Sequence, residues 1–161
     1  MIIPHIPANE KERLEALKSY HILDTRVEDE FDNLANLAAE ICDAPLAFIS
    51  LIDKERQWFK SKVNFETIEL PRSESFCGHA ILCPNEIMLI EDARKDERFK
   101  DNPAVTKKEE AVIFYAGVPI LSAVKLPLGT LCVVDHKVKK LKDFQVRALK
   151  TLAKQIEKLL E

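Results

Sequence analysis

Apolar positions recur along this chain at two spacings, and the change between them divides it. Near the start, Asn9-Glu10-Lys11-Glu12 has the form of a helix opening, with Asn9 as cap and Glu12 reaching back three residues later. Leu14 and Leu17 then share a face, and the helix should end near Tyr20. Thr25-Arg26-Val27-Glu28 repeats the capping pattern ahead of a stronger helix. There Phe31, Leu34, Ala35, Ala38, Ile41 and Cys42 follow the three-and-four spacing of one buried face. Cys42 belongs to that stripe and reads as a small core residue.

After Asp43-Ala44-Pro45 the helical period stops. Leu46-Ala47-Phe48-Ile49-Ser50-Leu51-Ile52 is a short, almost continuous apolar run, the pattern of a strand covered on both faces. Asp53-Lys54-Glu55 is a polar turn, and Arg56-Gln57-Trp58-Phe59-Lys60-Ser61 reads as the returning strand. Trp58 and Phe59 are adjacent, so they must face opposite sides of the sheet. Residues 62–71 read as a loop, Ser75 to Leu82 as a short helix, and Ile87-Met88-Leu89-Ile90 as a strand. The charge-dense segment from Asp92 to Asn102 reads as a loop or single turn pinned by Phe99. Ala111–Leu121 and Leu128–Asp135 are the last strands, and the closing helix runs from about Asp143 to Glu161. The connections between neighbouring strands are too short for parallel crossovers. An antiparallel sheet with helices packed against it, an α+β fold, is therefore the expected class.

Composition narrows the functional classes. At 161 residues the chain favours one domain, and 47% hydrophobic residues suffice for a sizeable core. A formal net charge of −3 gives no electrostatic reason to expect nucleic acid or an anionic membrane as partner. No apolar run reaches the roughly eighteen residues of a membrane span, and no signal peptide is visible, so a cytoplasmic setting is expected. The four cysteines, Cys42, Cys77, Cys83 and Cys132, are too scattered for a disulfide scaffold and are read as reduced thiols. With three glycines and neither a GxGxxG nor a GxxxxGK[ST] pattern, the common nucleotide-cleaving and dinucleotide-binding folds are set aside.

The densest chemistry lies in Pro71-Arg72-Ser73-Glu74-Ser75-Phe76-Cys77-Gly78-His79-Ala80-Ile81. His79 and Cys83 are four apart and would share a helix face, as metal ligands can. Cys77 lies about 200° around the helix from His79, however, and no fourth ligand is evident, so no metal is assigned. The residues name no cofactor.

Together, several ordered motifs resemble the GAF sensory domain: Arg56-Gln57-Trp58-Phe59-Lys60-Ser61; Pro71-Arg72 with Ser75–Ile81; Asp92–Phe99 with Asn102-Pro103; Phe114-Tyr115-Ala116-Gly117; and Leu128–Asp135. The resemblance covers roughly residues 10–160. It implies a six-stranded antiparallel sheet with terminal helices on one face and a ligand pocket on the other. Residues 1–161 would form one such domain, with 1–8 as an extension and 143–161 as a helix leading toward an output domain. It further implies a non-catalytic cytoplasmic sensor of a signalling or two-component system, not an enzyme. Such a module would bind an unknown small molecule, dimerise through its terminal helices, and relay signal to a kinase or cyclase partner. The residues that would line the pocket are Trp58, Phe76, Cys77, His79, Asp92, Tyr115 and Thr130, although Phe76, Cys77 and Cys132 also suit a core.

Departures from the family pattern limit the other readings. Where the family commonly has an Asp-Gly turn, this chain has Ser122-Ala123-Val124-Lys125-Leu126-Pro127, and neither Val124 nor Lys125 takes positive φ cheaply, so a different turn is expected. The Asn-Lys…Phe…Asp-Glu motif of cyclic-nucleotide-binding members is absent. Some members reduce free methionine-(R)-sulfoxide, and Cys77-Gly78-x-Ala80 resembles one of their cysteine positions. Residues 84–131 contain no cysteine to serve as their nucleophile, so that activity is not expected. A bilin, which photoreceptor members hold through a cysteine beside a histidine, is disfavoured because Gly78 separates Cys77 from His79. A ligand-free dimerisation or relay domain is the remaining class.

Overall fold

Two helices lead into the sheet: α1 (Glu10–Ser19) and α2 (Asp29–Ile41). The strands are β1 (Leu46–Ile52), β2 (Arg56–Val63), β3 (Glu69–Pro71), β4 (Met88–Ile90), β5 (Phe114–Leu121) and β6 (Pro127–Asp135). Short helices α3 (Phe76–Ala80) and α4 (Pro103–Thr106) lie in the connections, and α5 (Asp143–Leu160) ends the chain. The computed structural model describes residues 1–161 and joins the strands into one antiparallel sheet in the order β3-β2-β1-β6-β5-β4. No helix is long and apolar enough to cross a membrane.

Every residue of β1 and β6 is buried, because the sheet is covered on both faces. On one face α1, α2 and α5 seal a core of 23 buried residues, including Leu17, Phe31, Ile49, Leu131 and Leu149. On the other, α3 and the β4–β5 connection close over 14 buried residues, including Phe48, Phe59, Phe76 and Phe99. Alternate residues of one strand thus feed two separate cores, which is why β1 shows no polar side.

Two glycines are fixed by close approach. A Cβ on Gly129 would stand 1.9 Å from the Ser50 carbonyl oxygen, so β6 reaches β1 there only without a side chain. A Cβ on Gly117 would meet the Tyr115 hydroxyl at 2.2 Å, and its absence lets the Tyr115 ring fold across the strand.

Local structure departs from the sequence reading in four places. Neither expected capping box forms. The Asn9 side chain makes no cap bond, and the neighbouring Glu10 carboxylate accepts hydrogen bonds from Arg13 and Arg72. Helix α2 starts after Glu28 rather than at Thr25, whose hydroxyl donates to the Ile22 carbonyl and accepts from the Lys60 ammonium. The stretch 62–71 is not all loop, since Glu69–Pro71 forms the edge strand β3 against residues 56–58. The β5–β6 turn does use a positive φ: Lys125 sits at 69°, stabilised as Ser122 N–H donates to Leu126 O at 2.8 Å and Lys125 N–H to Ser122 O at 2.8 Å.

A lysine in the left-handed region costs of the order of 1 kcal/mol that a glycine does not. Lys125→Gly is therefore expected to raise stability by roughly 0.5–1 kcal/mol in urea unfolding, and a loss of stability would contradict this account of the turn.

Candidate functional site

The face of the sheet opposite the long helices is incompletely filled. A cavity of about 550 Å³ opens there, lined among others by Phe48, Phe59, Phe65, Phe76, Tyr115 and Val134. Its aromatic wall depends on an irregularity in β2. Opposite β1, Ile49 pairs with Ser61 but Ser50 pairs with Phe59, so Lys60 is one residue too many. The bulge sends Lys60 and Ser61 both toward the helix layer, where Lys60 pairs with Glu28 at 2.6 Å and Ser61 donates to Asp32 at 2.5 Å. Phe59 is left pointing into the cavity. There Phe48, Phe59 and Phe65 form a triangle with centroids 5.1, 4.9 and 5.3 Å apart. Edge-on and tilted contacts of this kind hold the rings in fixed orientations.

The floor is polar and buried. Ser75 caps α3, accepting from the Gly78 amide at 2.9 Å, and its hydroxyl donates to Gln57 Oε1 at 2.6 Å. The Gln57 amide then donates to Ser50 Oγ at 3.0 Å and to Cys77 Sγ at 3.2 Å. Thr130 Oγ1 donates to the same sulfur at 2.9 Å, Ser50 Oγ reaches it at 3.4 Å, and the Tyr115 hydroxyl lies 3.2 Å away. Cys132, facing the cavity from β6, places its sulfur 4.0 Å from that of Cys77.

Cys77 is thus the acceptor on which the floor converges. Burial alone would push its thiol up, but hydrogen bonds from Cys132, Ser50, Thr130 and Tyr115 favour the thiolate and bring it down to about 6. Cys132 and Tyr115 move the other way, raised by burial and by the charge that Cys77 would carry.

The expected site residues separate into three sets. Phe76, Cys77 and Tyr115 line the cavity, and Thr130 lies fully buried beneath it against Cys77. Trp58 does not belong with them. It faces the helix-side core, and its neighbour Phe59 occupies the wall. His79 and Asp92 also fall outside the cavity lining. The His79 ring shares a hydrogen bond with the Ile2 carbonyl oxygen at 2.9 Å and stands edge-on to Phe99, on the far side of α3. Asp92 caps a single 3₁₀ turn at Ala93–Lys95 and is held by the Arg94 guanidinium, which keeps its carboxyl below the ordinary range. No group of three or more histidine, cysteine or carboxylate side chains gathers as metal ligands would.

The sequence reading missed Ser50, Gln57 and Phe59. The adjacent Trp58 and Phe59 had to face opposite sides of the sheet, but only the bulge and the helix packing decide which of them walls the cavity. Residues 84–131 lack the nucleophilic cysteine that a reductase member would need, and the thiol that approaches Cys77 is Cys132.

Comparison with known proteins places these features in context. The family model for the GAF domain matches residues 26–160. A cyclic di-GMP phosphodiesterase of Pseudomonas aeruginosa is 35% identical over 137 residues, 85% of this chain, and the chain spans only 23% of that relative's length. Among solved structures, the GAF domain of an Acinetobacter phosphoenolpyruvate-protein phosphotransferase superposes with a TM-score of 0.68 at 23% identity, covering 92% of each chain. A type II free methionine-R-sulfoxide reductase from Thermoplasma acidophilum gives 0.66 at 14% identity, covering 89% of this chain and 94% of its own. The expectation that the chain is not an enzyme is overturned by the curated relative, which is named for a phosphodiesterase, so exclusion of catalysis does not stand.

His79 provides a test that needs no ligand. Burial lowers its pKa, with Arg98 and His5 acting in the same sense and the Ile2 carbonyl and Asp96 opposing. The unfolded chain therefore binds the proton more readily. The stability contribution is full above the ordinary histidine pKa of about 6.5 and is lost as pH falls below it toward the depressed folded value. Urea unfolding midpoints should decline between pH 7.5 and pH 5.5, and His79→Gln should flatten that decline; an unchanged slope in the variant would refute the assignment.

Proposed function

The chain belongs to the GAF domain family, and from that premise we propose that it is the ligand-responsive regulatory part of a longer protein with enzymatic output. The observation that carries this reading is the cavity of about 550 Å³, within the roughly 300–1,000 Å³ typical of small-molecule sites. Its phenylalanine wall suits a flat apolar or aromatic body. Polar side chains at the opening, among them Asn64, Glu74, Lys107 and His136, would select the substituents of that ligand. Phe76, Cys77 and Tyr115 would touch it, with Thr130 supporting them from below.

Side-chain contacts from the segment leading into α3 to α1 support a route for relay. Arg72 directly precedes the Ser75–α3 segment and donates to Glu10 on α1, as well as to the Asp53 and Lys54 carbonyl oxygens at 3.1 and 3.3 Å. Glu10 in turn holds Arg13, whose Nη1 donates to the Pro127 carbonyl at 3.3 Å. A ligand that shifts α3 would pull on this chain of ion pairs and so on α1, next to the α2 and α5 layer. The output would then be of the kind the relative's name states, turnover of cyclic di-GMP, or another attached activity, with pairing of the terminal helices between two copies as the means of relay.

Thermal denaturation of the chain with a panel of flat heteroaromatic metabolites, cyclic di-GMP and cyclic mononucleotides tests the binding step. At about one hundred times Kd a true ligand contributes roughly 2.7 kcal/mol, a Tm rise of the order of 5–10 °C for a chain of this size. Thr67→Trp, at the exposed cavity mouth, should abolish that rise while leaving the unliganded Tm within about 1–2 °C. An equal rise in the variant, or none with any compound, would count against the cavity as the site.

A further inference from the structure

The pairing of Cys77 with Cys132 has a chemical consequence independent of any ligand. The two sulfurs lie 4.0 Å apart, both side chains line the cavity, and no other pair of cysteines approaches in this way. Cys77 is surrounded by donors from Gln57, Thr130 and Ser50, which stabilise a charged sulfur in a site with no cation in hydrogen-bond contact. Bonding distance for a disulfide is about 2.05 Å, so the two sulfurs stand roughly 2 Å short of it. Both side chains border the cavity, which is the route by which a small solute would approach sulfurs whose residues are buried at 1% exposure.

We propose that Cys77 and Cys132 form a peroxide-reactive dithiol centre, in which a small hydroperoxide entering the cavity oxidises Cys77 and Cys132 then closes a reversible disulfide. In the first step the Cys77 thiolate sulfur attacks the outer oxygen of the hydroperoxide. The S–O bond forms as the O–O bond breaks, and the departing alkoxide takes up the proton that Cys77 released, leaving an alcohol and Cys77 as sulfenic acid. In the second step the Cys132 sulfur attacks the sulfenic sulfur. The S–S bond forms, the S–O bond breaks, and the hydroxide leaves as water with the Cys132 proton. Two thiols lose two electrons in total, and one hydroperoxide is reduced to alcohol and water. Tyr115 and Thr130, at 3.2 and 2.9 Å from the Cys77 sulfur, are placed to stabilise it before attack. Oxidation also removes the acceptor on which the floor network converges, so the centre would couple redox state to the cavity wall.

The centre is tested on the folded chain treated with hydrogen peroxide, with no other ligand present. Exposed Cys83 is first replaced by Ser, so that it neither competes nor cross-links. The expected product is about 2 Da lighter, yields a peptide pair joining Cys77 to Cys132, and reverts with dithiothreitol. With Cys132→Ser added, sulfenic acid should accumulate on Cys77 and be trapped by dimedone. Thr130→Val keeps the shape but removes one donor, and should slow oxidation by roughly tenfold at neutral pH. Recovery of Cys77 and Cys132 as free thiols from folded protein, under conditions that fully oxidise Cys83 in the unmodified chain, would overturn the proposal. So would equal oxidation of buried Cys42. Because no metabolite enters the assay, its failure leaves the ligand-binding reading intact, and failure of that reading leaves this one intact.

Discussion

Burial of the central strands on both faces is the constraint from which the rest of this structure follows. A strand with solvent on one side tolerates alternating polar residues, whereas β1 and β6 have no such side and must satisfy two cores at once. Each side chain is thereby committed to the helix layer or to the cavity layer, and a slip of one residue would exchange the two sets. Gly129 fixes the register between β1 and β6, because any side chain there would collide with the Ser50 carbonyl. The bulge at Lys60 shows how costly such a commitment is to alter. One extra residue reverses the facing of everything beyond it, and the sequence uses this to place a phenylalanine on one side and two consecutive polar residues on the other.

The two layers differ in how completely they are filled. The helix layer closes over a continuous apolar core. The opposite layer has only short helices and connections to cover it, and it leaves a cavity. A buried polar group without a partner costs about 1–3 kcal/mol, so hydroxyl, amide and thiol groups at the base of such a cavity must bond to one another. Ser75, Gln57, Ser50, Thr130, Tyr115 and Cys77 do so, and the α3 cap is one end of the network. The position of α3 and the charge on Cys77 are consequently linked through the same few hydrogen bonds.

Electrostatics ties the layers together at one edge. Arg13 is fully buried and Arg72 nearly so, and a single carboxylate, Glu10, serves both. Burial raises the Glu10 carboxyl pKa, but the hydrogen bonds from Arg72 and Arg13 outweigh it and hold it below the ordinary range. Removing Glu10 would strand two buried guanidinium groups, whose interior positions are tolerable only while paired. The Arg72 Nε has no partner even so, and it lies in the segment that leads into α3.

Much of this was legible in the chain itself. The three-and-four spacing of Phe31, Ala35 and Ala38 marks α2, the run Leu46–Ile52 marks a doubly buried strand, and the ordered motifs identify the fold, because periodicity and local propensity act over a few residues. The second capping box was misread because the Thr25 hydroxyl is claimed by Lys60, a partner 35 residues away. Lys125 takes a left-handed φ that its own preference opposes, since the flanking strands impose the turn. His79 and Asp92 have side chains suited to a ligand, yet α3 and the Arg94 guanidinium turn them elsewhere. The sequence by itself determined the long helices, the long strands, the antiparallel sheet and the concentration of chemistry between Pro71 and Ile81. Tertiary structure alone decided that Phe59 rather than Trp58 walls the cavity, and that Cys132 stands beside Cys77. Those outcomes depend on strand register and on contacts between distant segments, which no local pattern encodes.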